Sequence, residues 1–256
     1  MKRRALITLA GIVLIAGGLA AQEPSRGPDG GTSTRVSGVE LLAIPGKPFS
    51  AKTSTEWTRT LADGSTITTR LEANLARDSR GRIYRERRTF VPASSGRQAP
   101  LNEIHLFDPL TRTQALCSIR TMDCVISDYY PRTFFENPVT GLNSSGTRSL
   151  TRESIGSDTI EGLYVTGIRE TTTINAGVLG NEQPLVSTRE FWYSEELQTN
   201  LAVTRVDPRE GKQVIRLSNV SRAEPDPHLF EIPIGYTVRD ARASARRHGS
   251  TFGVAR

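Results

Sequence analysis

The sequence predicts a mainly β protein built on a single curved or half-closed antiparallel sheet, and three observations lead there. From Thr66 to Leu75 the chain alternates strictly, with Ile67, Thr69, Leu71, Ala73 and Leu75 on one side and Thr66, Thr68, Arg70, Glu72 and Asn74 on the other. That is the period of a half-buried antiparallel strand. Runs rich in Thr, Val and Ile recur between turn signals such as Ala62-Asp63-Gly64-Ser65, where Asp-Gly favours a tight hairpin. No stretch sustains a helical period, so only a few short helices are expected. About nine or ten strands with short connections favour one sheet, with a two-sheet sandwich as the alternative.

In chain order, the first strand expected is Gly38 to Ile44, an apolar run stopped by Pro45-Gly46. Thr55 to Leu61 follows, then the alternating strand, then Arg82 to Val91 after the Asp78-Ser79-Arg80-Gly81 turn. A Ser/Gly/Pro link from Pro92 to Pro100 leads to Glu103–Asp108. Thr113–Ile119 and Asp123–Ser127 read as two short strands about a turn near Arg120-Thr121, and a looser segment runs from Pro131 to Gly146. Thr147–Ile155, a hairpin of Thr159–Gly162 and Leu163–Ile174, Leu185–Tyr193, Leu201–Val206 and Gln213–Val220 complete the strands. Ile174 to Gln183 reads equally as a short helix or a loop, and Pro225 to Phe230 as a single helical turn before Pro233.

The ends read differently from the middle. Lys2, Arg3 and Arg4, an apolar run from Ala5 to Ala16, and small residues from Gly17 to Ala21 have the layout of a cleavable secretory signal peptide. The run is short of the roughly 20 apolar residues that span a bilayer. This divides the chain into a signal peptide (1–21), a flexible Gly/Ser/Pro spacer (22–37), an antiparallel β domain (38–238) and a disordered basic tail (239–256). The formal net charge is +6, but Lys2, Arg3 and Arg4 leave with the signal, so the remaining chain is about +3. With part of that in the tail, the body is near neutral and offers no nucleic-acid footprint. A periplasmic or secreted location is expected.

An exported chain with two cysteines favours a disulfide. Folding Thr113–Ile119 onto Asp123–Ser127 in register sets Cys117 opposite Cys124, close enough for the bond to form with slight adjustment. The spacing is not C-x-x-C, so the reading is structural.

Catalytic and cofactor signatures are missing. His105, His228 and His248 are scattered, without metal-ligand spacing to one another or to the cysteines. There is no G-x-S-x-G elbow, P-loop or G-x-G-x-x-G. Carboxylates such as Glu195, Glu196 and Asp207 fall in expected turns, where capping or solvation explains them. No cofactor is expected. What remains is the apolar side of the sheet: Ile67, Leu71 and Leu75, with Trp192 from the Phe191-Trp192-Tyr193 group, form the candidate ligand face. Phe134-Phe135 is the candidate exposed apolar patch.

Four phrases then read together: Gly156-Ser157-Asp158-Thr159-Ile160-Glu161-Gly162 with Gly167 and Thr171-Thr172-Thr173-Ile174; Gly180-Asn181-Glu182-Gln183-Pro184; Glu190 through Thr199; and Glu224 through Pro233. Over about Gly38 to Val238 the chain resembles a group of exported bacterial proteins of the kind abundant in Acidobacteria. The resemblance implies export and brings no activity with it. The order of motifs is also similar, more loosely, to the lipoprotein-carrier (LolA/LolB-like) superfamily. That likeness implies a half-closed antiparallel barrel covered by short helices around an apolar cavity for acyl chains. Aromatics at 6% of residues are sparse for such a cavity. The expected function is therefore a non-catalytic envelope protein that binds an apolar ligand, a lipid or a lipidated or protein partner, peripheral to the membrane. An envelope hydrolase whose site assembles only in the fold is the alternative.

Overall fold

The structure, a computed structural model, describes residues 39–131 and 138–242. The signal peptide, the spacer, Phe134-Phe135 and the tail beyond Arg242 lie outside the described residues.

The elements in order are β1 (Phe49–Thr60), β2 (Thr66–Arg77), β3 (Ile83–Arg88), β4 (Val91–Pro92), a 3-10 turn (Ala93–Ser95), β5 (Leu101–Asp108), β6 (Thr113–Ser118) and β7 (Asp123–Asp128). They continue with β8 (Gly141–Leu142), β9 (Arg148–Ile160), β10 (Leu163–Ile174), β11 (Leu185–Ser194), β12 (Thr199–Asp207), β13 (Gly211–Ser221), a 3-10 turn (Pro227–Phe230) and β14 (Thr237–Asp240). All fourteen strands belong to one open, curved sheet in the order β14-β7-β6-β5-β3-β2-β1-β13-β12-β11-β10-β9-β8, with β4 on β2. The sandwich alternative is thereby excluded.

Two antiparallel meanders, β1 to β7 and β8 to β13, meet where β1 pairs with β13. The return at β13 needs Gly211, whose φ is +87°. A Cβ there would fall on the Thr58 carbonyl, so no other residue fits without moving β1.

Four expectations change. Thr147–Ile155 and the Thr159–Gly162 arm form one strand, β9. Gly38 to Ile44 is not a strand: from Val39 onward it crosses one face of the sheet as a strap, with Val39, Leu41, Leu42 and Ala43 all buried. An apolar run without alternation has no polar side to show to water, and it reads the same whether it lies in a sheet or across one. Arg82 to Val91 splits into β3 and β4, because Arg88 pairs with Leu101 across an irregularity and the chain leaves the ladder before Val91 joins β2. The tail boundary also moves, since Arg239 and Asp240 sit in β14, parallel to β7. Ile174 to Gln183 is a loop rather than a helix.

The strap forms the lid of the principal core, which joins Val39, Leu41 and Ala43 to Phe49, Leu75, Ile83, Phe107, Leu201, Val203, Ile215 and Leu217. A buried main chain outside any ladder must find other hydrogen-bond partners. Here side chains supply them. Arg77 Nη1 donates to the Leu42 carbonyl at 3.0 Å and its Nε to the Lys47 carbonyl at 2.9 Å. Arg85 Nη2 donates to the Val39 carbonyl, and Thr199 Oγ1 to that of Glu40 at 3.1 Å. Adjacent residues of β2, β3 and β5 point to the opposite face, where Ala76, Tyr84 and Leu106 join Ala115, Cys117, Cys124 and Phe230 in a second core. Cys117 and Cys124 are directly opposed in register and joined at 2.03 Å.

Candidate functional site

The four residues of the expected ligand face do not form one surface. Ile67, Leu71 and Leu75 do share one side of β2, as their alternation requires. Ile67, however, is 40% exposed at the outer end of the strand, opposite Arg59. Leu71 is buried with Ala73, Ala99 and Phe90, and Leu75 lies beneath the strap in the principal core. Trp192 belongs to the other side of its strand. In register it opposes Gly167 and Ala202, whereas Phe191 opposes Ile168 and Val203. A Cβ on Gly167 would come within 2.8 Å of the Trp192 ring and 2.6 Å of Ile155, so the indole occupies the space that glycine leaves. Both rings pack on the rim of the principal core, where bulges in β9 and β12 coil the sheet.

The surface that continues Leu71 is legible from the ladders. An apolar row runs Leu71–Thr55–Ile215–Val203–Phe191–Ile168 across β2, β1, β13, β12, β11 and β10. Beside it runs a polar row, Thr69–Trp57–Gln213–Arg205–Arg189–Glu170–Arg152, which reaches β9. The strap seals the middle of the apolar row, leaving Val203 and Ile215 buried. Towards β10 and β11 the cover thins: Ile168 and Phe191 are half-buried and Arg189 is exposed.

Charge on the polar row is unevenly satisfied. Arg205 Nη2 lies 3.1 Å from Glu210 Oε2, and Trp57 Nε1 donates to the Glu210 carbonyl at 2.6 Å. Asp207 is clamped by Arg209 at 2.9 Å, and hydrogen bonds from Arg209 hold its carboxyl below the usual range. Arg152 approaches Glu170 at 3.6 Å. Arg189 stands in register between Arg205 on β12 and Glu170 on β10, so a like-charge pairing on one side is offset by an opposite charge on the other, and partial desolvation pushes its pKa down. Its guanidinium stacks over the Phe191 ring at 5.0 Å and has no hydrogen bond or ion pair among the described residues. The other side of the same strands is different: Arg169 is held by both Glu190 at 2.8 Å and Glu153 at 3.1 Å. That side is an internally neutralised, water-facing ladder.

His105, the histidine best placed for catalysis in the sequence, is buried within the sheet. Its Nε2 meets Glu103 Oε2 at 2.8 Å, and burial pushes its pKa below the ordinary value. Its partners in register are Arg85 and Leu116. No nucleophilic hydroxyl stands opposite it.

Sequence reasoning missed the strap contacts and Arg189. Arg77 and Arg85 fall on strands whose other members suggest a mixed surface, and nothing local marks them as donors to a segment some 30 or more positions away. Arg189 carried one usable signal: it precedes Phe191 by two residues, so alternation puts both on one side of β11.

No protein-family model and no curated protein matches the chain. Among solved structures, the Pseudomonas aeruginosa MucA/MucB complex gives 14% identity over 77% of this chain and 59% of the matched chain, at a TM-score of 0.40. LprF from Mycobacterium bovis gives 15% identity over 70% of this chain and 90% of its own, at 0.28. Mycobacterium tuberculosis lipoprotein LppX gives 13% identity over 69% and 88%, also at 0.28. The chain spans about three-fifths of the MucB chain it matches. Likenesses this weak assign no activity.

Proposed function

We propose that this chain is a non-catalytic, exported binding protein of the bacterial envelope. It holds an apolar ligand, or a lipidated or protein partner, across the exposed end of the strap-side face. The observation that carries the reading is Arg189. A cation at the open end of the face, partly desolvated and beside Glu170 in register but without a hydrogen bond or ion pair among the described residues, stacked on a half-buried ring and next to an apolar row, is suited to a ligand with apolar substance and negative charge. The paired Arg169 on the other side of the strands offers no such opening.

The Met1–Ala21 layout and the Cys117–Cys124 bond support export. The resemblance to exported Acidobacteria-type proteins and to lipoprotein carriers agrees with this reading. It differs from a carrier in one respect: the strap and its arginines fill the face that an acyl cavity would occupy. The sealed environment of His105 speaks against the hydrolase alternative. Native mass spectrometry of the protein purified from its own host tests the proposal. A non-covalent adduct, lost from an Arg189→Glu variant that still folds, is the expected result. Bare protein throughout would overturn it.

A further inference from the structure

A second opening lies in the sheet itself, away from the strap-side face. β2 pairs with β3 only over Leu75–Arg77 and with β4 only at Thr69 and Arg70. Between these, residues 71–74 pair with β1 on one side and form no ladder on the other, where β3 has diverged towards β5. The Asn74 N–H points to this second side, where Glu86 Oε2 accepts it at 2.9 Å. Main-chain groups alternate along an antiparallel strand, so the N–H and C=O of Glu72 point the same way. A cavity of about 250 Å³ opens at this place.

Its lining joins three chemistries. Leu71, Val91 and Ala99 are buried and give it an apolar floor. The main chain of Glu72 offers a strand edge, which in any sheet is a template for another chain. Arg70 and Arg97 also line it, and neither has a hydrogen bond or ion pair from its guanidinium among the described residues. Three carboxylates stand near. Glu86, which holds Asn74, is neutralised by Arg88 at 2.8 Å. Glu72 leans to Lys52 of β1 at 4.0 Å, and Glu56 opposes Arg70 in register without an ion pair to it. The volume falls just below the roughly 300–1,000 Å³ of sites for drug-sized ligands, so the cavity suits a short chain end.

We propose that this gap receives the C-terminal end of an extended peptide. The incoming segment takes the place of the missing strand against Glu72, and its terminal carboxylate pairs with Arg70 and Arg97, whose planar guanidiniums match a carboxylate's two oxygens. The site is independent of Arg189, and either can fail without the other.

The test uses the disulfide-bonded protein labelled with 15N and titrated separately with N-acetyl-dialanine as the free acid, the same peptide as its C-terminal amide, and acetate. The free acid should shift the Glu72 amide saturably, and the amide form should bind about tenfold more weakly, the loss of one charge-assisted contact. Arg97→Gln, a change in an exposed loop that leaves the fold intact, should weaken the free acid by a similar factor. Arg70→Gln should do the same if it folds. Equal binding of acid and amide, or an unmoved Glu72 amide, would overturn the proposal. Acetate binding as tightly as the peptide would overturn it too, by reducing the gap to a small-anion pocket.

Discussion

Arg77 is wholly buried, yet each of its three guanidinium nitrogens finds an acceptor. It donates to the carbonyls of Leu42, Lys47 and Leu197, at 3.0, 2.9 and 2.5 Å, and stacks over Phe49. Burial pushes its pKa down to about 10, so it stays charged at neutral pH. Arg77→Ala would leave buried carbonyls without donors and open a cavity under the strap. The expected cost is about 3 kcal/mol in urea unfolding; a loss below about 0.5 kcal/mol, the range of surface changes, would refute this role. His105 gives a pH dependence whose sign is fixed by its lowered pKa. The unfolded chain binds a proton near pH 6.5, before the folded one does, so stability should fall as pH drops below about 6.5. His228 acts in the opposite sense, because Glu231 raises its pKa, but it is exposed and screened. Unfolding midpoints between about pH 6.5 and 5, above the carboxylate range, should slope in the wild type and flatten in His105→Gln.

At the level of elements, local chemistry decided what could be read in advance. The first hairpin announced itself through Asp63-Gly64, where Gly64 takes the positive φ the turn needs, whereas the return at Glu161-Gly162, both at positive φ, lay inside the expected Thr159–Gly162 arm. The cysteine hairpin was readable because its two strands are short, adjacent and fixed in register by their turn. Its bond closes a small loop, so Cys117→Ser with Cys124→Ser should lower stability by about 2–3 kcal/mol while leaving the far-ultraviolet β signal in place. A larger collapse would mean that the second core depends on the bond. Other features were hidden for one shared reason: they are set by contacts distant in sequence. The strap differs from a buried strand only in what lies beside it. The split of β3 from β4, and the gap it leaves along β2, depend on where β5 draws Arg88.

Across the whole molecule, the two meanders and their junction at β1 and β13 produce a single sheet with unequal cover. The β1–β7 half is enclosed on one face by the strap and on the other by the segment that carries Phe230, Ile232 and Tyr236. The fold class was legible because period-2 patterning survives in nearly every strand. Of the residues expected to form a ligand face, Leu71 begins the row we propose, whereas Leu75 is sealed beneath the strap and Trp192 points to the other side of β11. The residues that end the row at the open side, Phe191 and Arg189, needed the register of six strands to be recognised.

The central claim is that this open end, and not the opposite side of the same strands, meets the partner. Phe191 and Val186 lie on opposite sides of β11, and Val186 is 48% exposed, so the pair provides its own control. With a photo-crosslinking amino acid placed at either position and the protein irradiated in its own host, position 191 should yield a defined adduct that position 186 does not. Equal labelling from both positions, or adducts from position 186 alone, would contradict the account.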